Sequence, residues 1–163
     1  MSDDRGRTAV WRAIVSRRHQ NLSLLLDRGA NGETRDHSNQ HPLIEAARTG
    51  DAVLVQILLQ HGSQPDVQSG SGNSALIVAA STGRLDVMHV LLEASADLDF
   101  RNQQGQSALM KATVADQWDA VVLLLEAGAN TRLVDMDHST ASDLAKEADH
   151  LEIFETIEQH RSR

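Results

Sequence analysis

A segment that begins at Gly72 returns 33 residues later, and that return governs what this chain can fold into. Gly72-Asn-Ser-Ala-Leu-Ile-Val-Ala-Ala80 aligns with Gly105-Gln-Ser-Ala-Leu-Met-Lys-Ala-Thr113. One step back stands Asn39-Gln-His-Pro-Leu-Ile-Glu-Ala-Ala47, and another step reaches Gly6-Arg-Thr-Ala-Val-Trp-Arg-Ala-Ile14. One step forward stands His138-Ser-Thr-Ala-Ser-Asp-Leu-Ala-Lys146. A second apolar stretch keeps the same register: Asn21–Leu26, Leu54–Leu59, Val87–Leu92, Ala120–Leu125 and Ile153–Ile157. Five units therefore fit without an insertion. Each holds two apolar segments too short to be stable as isolated helices. Stacked against the neighbouring unit they bury one continuous core, so a solenoid is predicted rather than a globule.

Composition supports helices. Leu, Ala, Val and Ile supply the apolar fraction, while the 163 residues include only two Trp, two Phe and no Tyr. Alanine and leucine are strong helix formers. There is no cysteine, which removes disulfides and thiolate metal sites and is compatible with a reducing compartment. The net charge of −8 argues against a binder that neutralises nucleic-acid phosphates, even with Arg12, Arg17 and Arg18 clustered. The longest apolar run, Ala120–Leu125, is far below the ~20 residues of a membrane span. The charged N-terminus has no secretory h-region, and the opening Met predicts little chain ahead of it. Charge is uneven: +3 over residues 1–35, −6 over 36–134 and −5 over 135–163. Such a gradient reads either as a means of orienting a partner or as solubility and capping.

Pro42-Leu43, Ala46-Ala47, Gly50, Leu58-Leu59 and Gly62 in unit two make the unit resemble an ankyrin repeat. So do Ser74-Ala75-Leu76, Ala79-Ala80, Gly83 and Leu91-Leu92 in unit three. The resemblance runs over about residues 3–160. It implies an all-α solenoid of helix-turn-helix units joined by β-hairpin-like turns. The expected organisation is a single domain over 1–163. Its repeats fall at about 3–35, 36–68, 69–101, 102–134 and 135–163, the first and last acting as caps. Several residues depart from the family pattern. Trp11, Ile44, Ile77, Met110 and Asp143 stand where its His is expected. Arg17, Asp116 and Asp149 replace the mid-unit Gly, and Ser95 replaces the Gly that ends a second helix. A left-handed residue at position 95 would strain Ser where Gly is not strained. In the last helix, Leu151, Phe154 and Ile157 are expected to share the apolar face.

Other motifs in the chain compete poorly with the repeat. Gly70-Ser-Gly72-Asn-Ser-Ala75 has the form G-x-G-x-x-A, but no β-branched run precedes it and no P-loop Lys follows. The same turn recurs at Ser38-Asn39 and Gln104-Gly105, so it reads as a connection between units; a small nucleotide-binding protein or enzyme is the remote alternative. None of the eight histidines forms an H-E-x-x-H or His-x3-His pair. Asp135-Met-Asp137-His-Ser139 starts like a calcium loop, yet Thr140 and Lys146 occupy its deciding sixth and twelfth positions. No G-x-S-x-G is present. No cofactor or metal is expected, and no enzymatic activity. Trp118 reads as an interface hot spot or, from the leucine the family carries there, as a residue packed between units.

The resemblance implies a protein partner, bound on the concave side formed by the turn tips and the exposed sides of the first helices. The residues expected there are Arg5, Arg7, His37, Gln40, Arg48, Thr49, Ser71, Asn73, Ser81, Thr82, Gln103, Gln104, Gln106, Val114 and Met136. The function expected is a non-enzymatic interaction module or scaffold, with an inhibitory or regulatory subunit as the narrower alternative. A monomer is expected, with no nucleic-acid or membrane partner. Its location is expected to be cytoplasmic, with the nucleus left open.

Overall fold

A computed structural model describes residues 3–162; positions 1, 2 and 163 of the expected domain lie outside it. Among the described residues there are ten helices and no strand. They come in five pairs: α1 Ala9–Val15 with α2 His19–Asp27, α3 Pro42–Thr49 with α4 Ala52–Gln60, α5 Ala75–Ser81 with α6 Leu85–Glu93, α7 Ala108–Val114 with α8 Trp118–Glu126, and α9 Ala141–Glu147 with α10 Leu151–Arg161. First helices pack on first helices in the order α1, α3, α5, α7, α9, and second helices line up behind them. Among the described residues no helix is long and apolar enough to cross a membrane.

Register explains both layers. Ala13, Ala46, Ala79, Ala112 and Ala145 recur at one position, and all are buried. A methyl group there lets the first helices of adjacent units approach closely. Behind them Leu58, Leu91, Leu124 and Ile157 share another position and are 0–1% exposed. Burial of a Leu or Ile side chain is worth about 1.5–3 kcal/mol. That gain depends on the neighbouring unit, which is why no single pair stands alone.

Short helices need their ends satisfied. His41, Ser74, Ser107 and Thr140 occupy one register, and each side chain accepts a backbone N–H from the first turn of its helix. Thr140 and Asp143 complete a reciprocal capping box. The bonds from Thr140 hold the Asp143 carboxyl below its ordinary range. Helices α2, α4, α6 and α8 end in Schellman turns. In α6, Ser95 N–H donates to Leu92 O (2.9 Å) and Ala96 N–H to Leu91 O (3.0 Å).

Backbone conformation follows the same period. Six non-glycine residues and eight glycines have positive φ among the described residues. They fall at three registers only: 6, 39, 72, 105, 138; then 17, 50, 83, 116, 149; then 29, 62, 95, 128. Arg17, Asp116, Asp149 and Ser95, the departures from glycine noted above, keep the left-handed turn at φ values of 50°, 54°, 60° and 62°. The departures change the residue and leave the geometry.

Two packing expectations need correction. In α10 the buried pair is Ile153 and Ile157, while Leu151 is 61% exposed. Ile153 stands at the register of Leu54, Val87 and Ala120, all buried; the stacking register, not the local pattern, sets the inward face. Phe154 is half-buried, with the Lys146 ammonium 4.5 Å from its ring centre. Trp118 is likewise not buried between units: it is 42% exposed, because its register turns outward from α8. Trp11 does pack inward, 2% exposed, and its indole N–H donates to Thr34 O at 2.7 Å.

Candidate protein-binding face

Each unit opens with a turn closed by its own first residue. Asp3, Asp36, Ser69, Asn102 and Asp135 lie 33 apart. At each, the backbone N–H donates to the carbonyl four residues on: Arg7, Gln40, Asn73, Gln106 and Ser139. The side-chain oxygen of each also accepts the N–H of that fourth residue, at 2.9–3.1 Å. Local side-chain bonds of this kind are what Asp, Asn and Ser offer a turn. These are the hairpin-like connections the sequence predicts, too short to register as strands.

Consecutive tips touch. His37 N–H donates to Arg5 O (2.8 Å), and Met136 N–H donates to Gln104 O (3.0 Å). Between them the Gln103 amide donates to Gly70 O at 3.3 Å. Gly72, at φ 78°, leaves no room for a β-carbon: one built there would lie 2.7 Å from Gln103 N. Gly72 N–H donates to Ser69 O, and Asn73 N–H to Ser69 Oγ. Two amides of the loop, those of Gly72 and Asn73, are thus taken by the turn, and no strand precedes Gly70 among the described residues as a dinucleotide-binding unit would require. Asp135 Oδ1 is used in the same way by the N–H groups of Asp137 and Ser139, both at 3.0 Å.

The fifteen expected contact residues divide into tips, tip bases and helix ends. Arg5, His37, Ser71, Gln103, Gln104 and Met136 stand exposed on the tips. Arg7, Gln40, Asn73 and Gln106 are half-buried at the tip bases. Arg48, Thr49, Ser81, Thr82 and Val114 lie at the ends of first helices.

Several of these are already occupied. The hydroxyls of Ser81 and Thr82 both donate to Val78 O, and that of Thr49 donates to Ala46 O. Arg7 pairs with Asp3 at 3.1 Å, and Arg48 pairs with Glu45. Asn73 accepts the Asn102 amide at 2.8 Å. By contrast the side chains of Arg5, His37, Gln104 and Gln106 have no hydrogen-bond partner among the described residues. Val114 is 45% and Met136 is 70% exposed. Between the first two tips and α1 and α3 lies a cleft of about 550 Å³, with Arg5, Trp11, His37, Gln40 and Arg48 on its walls.

The junction of units one and two carries a histidine arrangement that the sequence alone did not reveal. His19 Nε2 lies 2.8 Å from Asp51, His41 Nε2 3.0 Å from Glu33, and His61 Nε2 3.0 Å from Asp27. His41 Nδ1 accepts Leu43 N–H at 3.1 Å, which requires the neutral ring. Burial lowers its pKa, against the pull of Glu33. Both nitrogens of His61 face acceptors, Ile57 O at 2.8 Å and Asp27. The Asp27 bond raises its pKa. Spacing could not show these pairs, since most partners lie 32 or 34 residues apart. Among the described residues no group of His, Asp and Glu gathers into a metal site.

Helix pairs stacked in two layers, with their turns in one row, define a helical-repeat solenoid that offers a surface rather than an enclosed pocket. Residues 30–102 match the family model for ankyrin repeats, in three copies. Ankyrin repeats thus occupy that stretch, and helix pairs of the same form continue on both sides of it. Ankyrin repeats are generally protein–protein interaction modules, and the family is typically non-enzymatic. No curated protein matches the chain.

Proposed function

We propose that the chain is a non-enzymatic interaction module that binds a protein partner along its turn tips and first-helix ends, on the concave side. One observation carries this reading. The turns bond to themselves, and the side chains of Arg5, Gln104, Val114 and Met136 are exposed with no hydrogen-bond partner among the described residues. Met136 and Val114 offer apolar anchoring on an otherwise polar strip, which hydrogen bonding alone would not supply. We take the acting form to be a monomer working in the cytoplasm, in line with its cysteine-free sequence.

The test is capture of partners from a lysate of the source cells by the immobilised chain. It is compared with a variant carrying Gln104→Ala, Val114→Ser and Met136→Ala. All three side chains are exposed, so the thermal melt should not move. Loss of specific partners by the variant supports the reading. The same partners captured equally by both proteins would reject it.

A further inference from the structure

The outer layer of second helices holds a surface that the tips do not explain. Trp118 lies at the start of α8, 42% exposed, where units two and three carry Ala52 and Leu85. Its indole N–H donates to Thr156 Oγ1 of α10 at 3.3 Å. The Thr156 hydroxyl is itself held by Glu152 O at 2.7 Å. The ring is thus fixed in orientation while much of it remains in water. One turn further along α8 stands Val122, at a register where the other units carry Ser23, Gln56, His89 and Glu155. Trp118, Val122 and Leu125 form the apolar wall of a groove of about 220 Å³ between α8 and α10. Thr156, Gln159 and His160 form the other wall.

Charge around this groove is one-sided. Helix α8 carries Asp119 and Glu126 and no Lys or Arg. Helix α10 carries Glu152, Glu155 and Glu158, and its Arg161 is paired with Glu158 at 2.8 Å. A preorganised tryptophan beside aliphatic side chains, with a charged rim, is the anatomy of an interface hot spot. The groove runs between two helices, so the shape that fits is a third helix lying alongside. Its apolar face would meet Trp118 and Val122, and its flanks would meet carboxylates.

We propose that the α8–α10 groove is a second docking surface, separate from the tip face, and that it takes a basic amphipathic helix of a partner protein. Two aliphatic side chains one turn apart sit on Trp118 and Val122, and Lys or Arg on either side face Glu126, Glu152 and Glu155. Opposite charge sets the orientation and speeds encounter, while the apolar contacts hold the complex.

The probe is a fluorescein-labelled helical peptide with Leu at i, i+3, i+4 and i+7 and Lys elsewhere. A control peptide has Glu in place of every Lys. Each is titrated into the full chain and followed by anisotropy. The basic peptide should bind and the acidic one should not. Trp118→Ala and Val122→Lys should each weaken binding by at least about tenfold, the scale of a lost hot-spot contact. The tip variant Gln104→Ala, Val114→Ser, Met136→Ala should bind the peptide as the parent does, which separates this surface from the proposed tip face. Val122 is outward and half-buried, so Val122→Lys keeps the test intact if Trp118→Ala unfolds. The proposal is overturned if the parent does not bind the basic peptide or if both peptides bind equally. It is overturned equally if Val122→Lys binds unchanged.

Discussion

Replacing Ser95 with glycine should make the protein more stable, and the structure allows the size of the gain to be worked out. Ser95 has φ 62° and ends α6 in the same Schellman turn that Gly29, Gly62 and Gly128 make for α2, α4 and α8. A β-carbon in a left-handed turn costs about 1–2 kcal/mol. The Ser95 side chain is exposed and makes no hydrogen bond among the described residues, so removing it loses no contact. At the three equivalent glycines a β-carbon would meet nothing within 4 Å, so the strain is conformational and not a clash. Against the gain stands the greater freedom of glycine in the unfolded chain, about 0.4–1 kcal/mol. The net is a stabilisation of roughly 0.5–1 kcal/mol, or about 1–4 °C in melting temperature for a chain of this size. Gly128→Ser is the mirror experiment and should lose a similar amount. Paired thermal and urea melts of the two variants check it. A Ser95→Gly protein no more stable than the parent, together with a harmless Gly128→Ser, would refute the reasoning that this register is governed by backbone handedness.

Three further expectations follow from the junctions between units. Gly72→Ala combines a left-handed φ with a β-carbon 2.7 Å from the backbone nitrogen of Gln103; it should cost about 1–3 kcal/mol in a urea melt, clearly more than Gly62→Ala. Asp99 accepts the backbone N–H of Asn130 in the next unit at 2.9 Å, and Asp99→Ala should lose about 0.5–1.5 kcal/mol, with faster hydrogen exchange at Asn130. The histidines of the first junction predict opposite pH limbs around the ordinary value of 6.5. His61, raised by Asp27, contributes stability below 6.5 that is lost as pH rises through its folded pKa. His41, lowered by burial, keeps its contribution above 6.5 and loses it as pH falls through its folded pKa, when the bond from Leu43 N–H is broken. His41→Ser, which restores the hydroxyl cap seen at Ser74 and Ser107, should flatten the acid limb in urea midpoints measured from about pH 5 to 8 and leave the alkaline limb unchanged.

The stack itself was legible from residues alone. A constant offset fixes which positions face a neighbour, so the five paired apolar segments and the left-handed site at Ser95 follow from the residues. Trp118 was not legible. Its register faces outward, where burial imposes no pattern, and analogy with a leucine in the family pointed the wrong way. Leu151 failed for a related reason: helical periodicity in α10 offers two overlapping apolar faces, and only the column of Leu54, Val87 and Ala120 selects the one containing Ile153. On the tip face, the sequence could list hydroxyl and amide side chains but not say which were already engaged. Ser81, Thr82 and Asn73 look like donors for a partner until their bonds to Val78 O, Ser71 and Asn102 are seen.

The fourteen left-handed residues carry an implication for how such a gene can change. Every bend sits at one of three fixed addresses within the unit. Deleting or duplicating an entire block of 33 carries all the bends along in phase, and the chain simply becomes shorter or longer. Losing one residue inside a helix has the opposite effect. Within the edited unit it brings the two bends one residue closer together and turns apolar side chains off their inward register, while the units beyond keep their own turns, so the array tolerates edits of a whole unit far better than edits of a single codon.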